Sequence, residues 1–320
     1  MMLTTTTVFL LMALIPAICL ADTGKPLVPA IDGEWRQIAG VPHVGKYSDP
    51  GQEPVDFAIW QAKDGSWQLW SCIRKTKCGG RSRLFHRWEA KNITDADWEP
   101  KGIAMEADPS LGETAGGLQA PHVVRWKNKY VMTYGCWTHI CFATSSDGKT
   151  FKRVIQPDGK TPAFGEGLDD NARDAMLLFT KGQWRCYYTA YPKRQGYDFC
   201  RTSPDLKKWS DSFIVAYGGQ SGNDRGSAEC PFVVEPRPGY YVLFRTQTYR
   251  GEPKTSVYGS ANPHNFGIDD DRYLLCTLPV AAPEIILHEG QYYIAALNPD
   301  LKGIRIARLK WTEAPVGDVK

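Results

Sequence analysis

Five stretches of the chain repeat one hydrophobic pattern: a polar or charged residue, a short apolar run, a tight turn, then an aromatic-rich run. The paired stretches are 55–60 with 66–70, 120–124 with 129–134, 173–178 with 183–188, 228–234 with 239–244, and 282–287 with 290–295. Runs of this length, rich in β-branched and aromatic residues, predict strands. The turns between them carry Asp64-Gly65, Lys127-Asn128, Lys181-Gly182, Pro238-Gly239 and Glu289-Gly290, the residue types that close hairpins. Aligned on the charged residue, the units start at Asp56, His122, Asp174, Glu229 and Glu284. After a first gap of about 66 residues the spacing is about 52 to 55, the length of a propeller blade.

Further strands follow each pair. Residues 142–151 and 200–209 each read as a strand, a Ser-Asp turn and a final aromatic strand. No stretch has a convincing helical period. The fold expected is therefore all-β: a five-bladed β-propeller of four-stranded antiparallel blades, as one domain over residues 22–320. A β-sandwich does not account for the regular spacing, whereas radial repetition leaves only short, protected edges. The aromatic residues Trp60, Trp67, Trp70 and Trp184 are expected to pack within or between blades.

The first 21 residues break the pattern. An apolar run over 8–15 is too short to span a bilayer, and Cys19-Leu20-Ala21 has the small residues of a cleavage site. Residues 1–21 are expected to be a signal peptide, which makes the mature protein secreted or periplasmic, without a membrane span, and a monomer. The net charge of +3 is small and mixed in sign, which argues against nucleic acid as a partner. Export and an even set of eight cysteines beyond Cys19 suggest disulfides. Cys72 and Cys78, and Cys136 and Cys141, are close enough to staple loops; Cys186 and Cys200 fall on adjacent strands of one unit. The spacings fit no usual zinc pattern, so no metal site is expected.

The first strand of each unit lines the central channel, so equivalent positions converge there. Asp56, His122, Asp174, Glu229 and Glu284 would then form a cluster of like charge that is costly unless it is used. Paired carboxylates held in different environments can divide the work of acid and base.

At these residues the chain resembles glycoside hydrolase family 43 and its five-bladed relatives. Ala120-Pro121-His122-Val123 followed by Lys129-Tyr130, the Arg173-Asp174-Ala175-Met176 strand, and Glu229-Cys230-Pro231 ahead of Gly239-Tyr240-Tyr241 carry the resemblance. It departs from the family at Phe57, Gln119 and Cys230, where Pro, Trp and Gly are usual. The resemblance implies that Asp56 is a general base activating water, Asp174 orients and tunes the acid, and Glu229 is the general acid. It also implies inversion, which requires acid and base to stand roughly 6.5–9.5 Å apart. No cofactor is required on this reading; a structural calcium ion enters only by family analogy.

His122, Trp137, His139, Arg225 and Glu284 are the candidates for contact with a carbohydrate substrate, each weighed against a packing role. Asp174 has a rival reading as the partner of Arg173 or Arg225, and strand alternation speaks against Arg173. The function expected is an exported hydrolase of plant or algal polysaccharide or oligosaccharide, releasing arabinofuranosyl or xylosyl units. A non-catalytic carbohydrate-binding propeller is the alternative. A phosphorylase, which needs a cationic cluster such as Arg173, Arg225 and Arg245, is a weaker one.

Overall fold

A computed structural model describes residues 24–167 and 169–314. The expected signal peptide, Cys19 and the last six residues lie outside the described residues. The architecture is the five-bladed propeller, and a long N-terminal strand, β1 (Leu27–Gly40), takes part in its closure.

Blade one is β2 (Glu53–Gln61), β3 (Trp67–Arg74), β4 (Leu84–Ala90) and β5 (Glu99–Met105). Blade two is β6 (Gln119–Trp126), β7 (Lys129–Gly135) and β8 (Ile140–Ser145), with an outer edge split between β9 (Lys152–Arg153) and β10 (Pro162–Phe164). Blade three is β11 (Arg173–Thr180), β12 (Gln183–Ala190), β13 (Tyr197–Ser203) and β14 (Phe213–Tyr217). Blade four is β15 (Glu229–Arg237), β16 (Tyr240–Thr248), β17 (Lys254–Ser260) and β18 (Leu274–Leu278). Blade five is β19 (Glu284–His288), β20 (Gln291–Leu297) and β21 (Gly303–Glu313), and β1 pairs with β21 as its fourth strand. The register Leu27↔Glu313 to Gly40↔Gly303 thus ties the two ends of the described chain into one sheet.

The turns behave as their residues dictate. Lys181-Gly182 and Glu289-Gly290 close two-residue hairpins, Thr180↔Gln183 and His288↔Gln291, with positive φ at both central positions. That is the twist-matched turn a glycine at the second position makes accessible. The outer strands differ from expectation. Phe151 and Trp209 are not strand residues; the fourth strands of blades two and three begin beyond them, at Lys152 and Phe213. Both rings pack inward instead: Phe151 against Trp60 and Trp70, Trp209 against Phe142.

The core lies between blades. Trp60, Trp67, Trp70 and Trp184 are all buried, and the Trp60 ring N–H reaches across to the Gly148 carbonyl of the next blade at 2.8 Å. Neighbouring inner strands touch in order around the ring, and β19 touches β2, which closes it. No helix among the described residues is long and apolar enough to cross a membrane.

The cysteines separate by sheet face. Cys200 stands opposite Tyr187 in the β12–β13 register, so Cys186 projects to the other face. The two thiols enter different core clusters, and a Cys186–Cys200 bridge is excluded by geometry. Cys136 and Cys141 share one cluster, and their thiols are in hydrogen-bond contact.

Candidate active site

Every inner strand carries the same irregularity near its start. Asp56, Ala120, Asp174, Cys230 and Ala282 have φ of 40°, 36°, 58°, 48° and 47°. In the first four the ladder also slips at that point, as a β-bulge does. Asp tolerates the left-handed region better than most residues, whereas Ala and Cys bear a strain of roughly 1–2 kcal/mol each. Pro follows in three strands, as Pro121, Pro231 and Pro283. It is accommodated because the inner edge of a blade needs no ladder donor there.

This repeat corrects the alignment expected from the sequence. Asp56 and Asp174 are equivalent, but Glu229 sits one residue before its left-handed position. His122 and Glu284 sit two residues after theirs. Asp56, Asp174 and Cys230 therefore converge at one level, and their ligand atoms lie within 4.8 Å of one another. His122 and Glu284 line the narrow channel, a void of about 20 Å³, and not the pocket at its mouth.

The contacts at the aspartate level are specific. Asp174 Oδ2 accepts the Cys230 backbone N–H at 3.0 Å, while its Oδ1 is buried with no hydrogen-bond partner among the described residues. Asp56 Oδ1 accepts the Cys230 thiol at 3.2 Å and the Tyr249 hydroxyl at 3.0 Å. Burial, reinforced by the Asp56 charge, pushes the Asp174 carboxyl well above the usual carboxylate range. The Cys230 thiol and Tyr249 hydroxyl are driven up in the same way, first by burial and then by the aspartates.

Arg173 joins this level to Glu229. Its Nη2 donates to Glu229 Oε1 at 2.5 Å and its Nε to Oε2 at 3.1 Å, a bidentate fork. Its Nη1 donates to the Asn171 carbonyl at 3.1 Å, and its Nε lies 3.7 Å from Asp174 Oδ2. Strand alternation was expected to keep Arg173 and Asp174 apart. The left-handed turn at Asp174 cancels that alternation and puts one guanidinium beside both carboxylates.

Above them a pocket of about 230 Å³ is bounded by Asp56, Glu229, Arg173, Arg225, Trp137 and Tyr249, among others. Glu229 is the more accessible acid, with its side chain 20% exposed against 1% for Asp174. Trp137 and Arg225 reach this pocket as expected. His139 does not line it: it packs half-buried in its turn, with Nδ1 2.8 Å from the Thr138 hydroxyl. In the channel, His122 Nδ1 accepts the Leu177 N–H at 3.2 Å, and burial lowers its pKa to about 3. Burial, with the Asp56 charge second, raises the Glu284 carboxyl well above the usual range.

Two positions beyond the bulges the inner strands carry Ala58, His122, Met176, Phe232 and Glu284. Together with Asp56 and Asp174, His122 and Glu284 supply the polar side chains that line the channel void.

Arg83, Arg74, Gln247 and Tyr249 also line the pocket without having stood out in the sequence. They come from loops or from the ends of second strands, outside the repeated start motif. The Cys-Gly-Gly turn ahead of Arg83 was the one local sign of a built loop.

No family model and no curated protein matches the sequence. Solved structures do. A thermostable family-43 glycoside hydrolase superposes with a TM-score of 0.61 at 19% identity, over 86% of this chain and 99% of that one. An endo-arabinase from Bacteroides thetaiotaomicron gives 0.61 at 14%, over 84% and 96%. A Bombyx mori GH32 β-fructofuranosidase gives 0.57 at 16%, over 87% of this chain and 64% of that one. The chain is thus a five-bladed β-propeller of the architecture that these glycoside hydrolases share.

Proposed function

We propose that the protein is an exported glycoside hydrolase in which Asp56 activates water, Glu229 protonates the leaving glycosidic oxygen, and Asp174 orients and tunes the pair. One observation carries this: three carboxylates from three blades meet at the channel mouth, joined through Arg173 and Cys230. Such a cluster is unfavourable for folding alone and is what paired acid–base chemistry requires. The Arg173 fork sets the direction of the Glu229 carboxyl towards the pocket. The Tyr249 and Cys230 donors hold Asp56, so that its second oxygen is left for a water. The substrate is a polysaccharide or oligosaccharide, with arabinofuranosyl and xylosyl units the first to be tried. The reading is of inversion, which proton NMR of the first-formed anomer checks.

The burial of Asp174 favours a bound proton, which supports a second assignment with Asp174 as the acid. Its burial argues against direct contact with the glycosidic oxygen, and Glu229 is preferred. Leaving-group dependence separates the two. Loss of the true acid is masked on aryl glycosides with good leaving groups and exposed on natural linkages. Glu229→Gln is expected to lower kcat on a natural linkage by about 10²–10⁴-fold and to spare activated aryl glycosides. If Asp174→Asn shows that pattern and Glu229→Gln does not, the roles are exchanged.

A phosphorylase is disfavoured because two of its three candidate cations are engaged. Arg173 holds Glu229, and Arg245 Nε lies 3.1 Å from Asp198. A purely sugar-binding propeller would leave both variants equal to the parent in a binding assay, with no turnover by either.

A further inference from the structure

The pocket mouth is unusually cationic. Arg74, Arg83, Arg173 and Arg225 line it against two carboxylates, Asp56 and Glu229. Arg173 is committed to Glu229. Arg74 is committed to Glu53, at 2.6 Å, but Glu53 also holds Lys75 at 2.8 Å and Arg250. One carboxylate therefore serves three cations at this lip.

Arg83 and Arg225 have no carboxylate within ion-pair distance among the described residues. Aromatic rings flank them instead, and Arg83 Nη1 also donates to the Cys72 sulfur at 4.0 Å. Arg83 lies 5.3 Å from the Trp137 ring centre, beside Arg81 at 4.5 Å. Arg225 lies 4.2 Å over Tyr191, with Arg173 at 5.1 Å, and its Nη2 donates to the Tyr191 hydroxyl at 2.7 Å. The nearest acid on the Arg225 loop, Asp224, is turned back to the Gly226 N–H at 2.9 Å. Beyond the Cys72 thiol, the charges that balance Arg83 are Asp56 and Asp174, both farther than ion-pair distance.

Two consequences follow. The Trp137 and Tyr191 faces, on which a neutral sugar ring would stack, already carry guanidiniums. The guanidiniums themselves are fixed forks with unused donors, the geometry that binds planar or tetrahedral oxyanions. The whole chain carries 38 Lys and Arg against 35 Asp and Glu, so this surplus is concentrated at the site and is not a general property of the surface.

We propose that the substrate is an anionic carbohydrate, whose sulfate ester or carboxylate is seated between Arg83 and Arg225 at the pocket mouth. This rests on reading the pocket as a sugar site, and it adds the substrate class.

The test is calorimetric binding to the full protein of two matched pairs. One pair is a sulfated galactan oligosaccharide and its desulfated form; the other is an oligogalacturonide and a neutral galacto-oligosaccharide of equal length. Arg83→Gln and Arg225→Gln are run beside the parent, with melting curves to confirm folding, and turnover of every ligand is measured separately. At least one anionic member should bind about tenfold or more tightly than its neutral partner, which is about 1.4 kcal/mol. The preference should shrink in each variant and with added salt. Which pair shows it identifies sulfate or carboxylate as the group read. Equal binding within both pairs, or a preference that both variants retain, overturns the proposal. Turnover of the neutral sugars without an anionic preference sinks this inference and leaves the hydrolase reading standing. A clear preference without turnover of any ligand carries this inference and leaves the hydrolase reading to the Glu229→Gln and Asp174→Asn assays on other linkages.

Discussion

Replacing Arg173 by Lys tests whether one guanidinium organises the site. Arg173 is 6% exposed and makes three hydrogen bonds, two to Glu229 and one to the Asn171 carbonyl. Lysine keeps the charge but offers a point donor where the fork offered a plane. It can hold one Glu229 oxygen and must abandon the other or the Asn171 carbonyl. Either bond has the guanidinium as its charged donor, and losing one costs about 1.5–3 kcal/mol. That loss corresponds to a fall in melting temperature of roughly 2–5 °C for a chain of this size. Circular dichroism melting measures it, with the exposed Arg194→Lys as control. Arg173→Ala should fall further, because it leaves Glu229 and Asp174 without a counter-charge. Activity gives an independent reading. A carboxyl displaced by about 1 Å can lose about 10²-fold in rate, so kcat should drop more than stability alone explains. If Arg173→Lys melts within about 1 °C of the parent and keeps its kcat, Arg173 is a bystander and the coupling of the three carboxylates is wrong.

The remaining predictions concern buried titrating groups and the thiols. Asp174 binds its proton more tightly folded than unfolded, so it costs nothing below about pH 4 and stability is lost as pH rises through its folded value. Asp174→Asn should therefore melt above the parent at pH 7–8, with the gain vanishing towards pH 4; a gain independent of pH contradicts the desolvation argument. His122 is opposite in sign: its pKa is lowered to about 3, so stability present above about pH 6.5 is lost as pH falls towards 3. Its share is of the order of 5 kcal/mol, and His122→Gln should flatten the acid limb of a pH–stability curve. Under mild oxidation Cys136 and Cys141 should join while Cys186 and Cys200 stay reduced. Peptide mass mapping after thiol labelling reads both, and a Cys186–Cys200 crosslink would contradict the two-face assignment.

The repeated hairpins were legible because their signals are local: a turn residue, an aromatic run, a fixed spacing. The closure was not, because β1 meets β21 across nearly the whole chain and its half-exposed strand shows no strong alternation. The outer strands were misplaced for a related reason. Phe151 and Trp209 look like strand residues, yet their burial is against neighbouring layers. The convergence of Asp56, Asp174 and Glu229 was legible, but their relation along the strands was not, because the structure repeats a backbone conformation and not a charge. Nothing local announces a left-handed Ala120, Cys230 or Ala282, since those side chains do not favour it. Arg83 and Tyr249 were missed because loop residues follow no period.

The bulge, more than the carboxylates, explains how one ring of strands places its acids at different depths. A strand advances about 3.3 Å per residue. Asp56 and Asp174 occupy the left-handed position itself, so they sit at one depth. Glu229 precedes that position by one residue and stands nearer the pocket. Small side chains at Ala120 and Ala282 leave space at the aspartate level, and Cys230 fills the fifth place with a thiol that donates to Asp56. A five-fold alignment of acids at one depth would have produced mutual repulsion with no division of labour. The one-residue offset leaves Asp174 almost fully desolvated and Glu229 in contact with the pocket, with Arg173 spanning the step between them. Depth along the strand thus sets which carboxyl faces the pocket and which is desolvated, and the proposed division into acid and modulator rests on that difference.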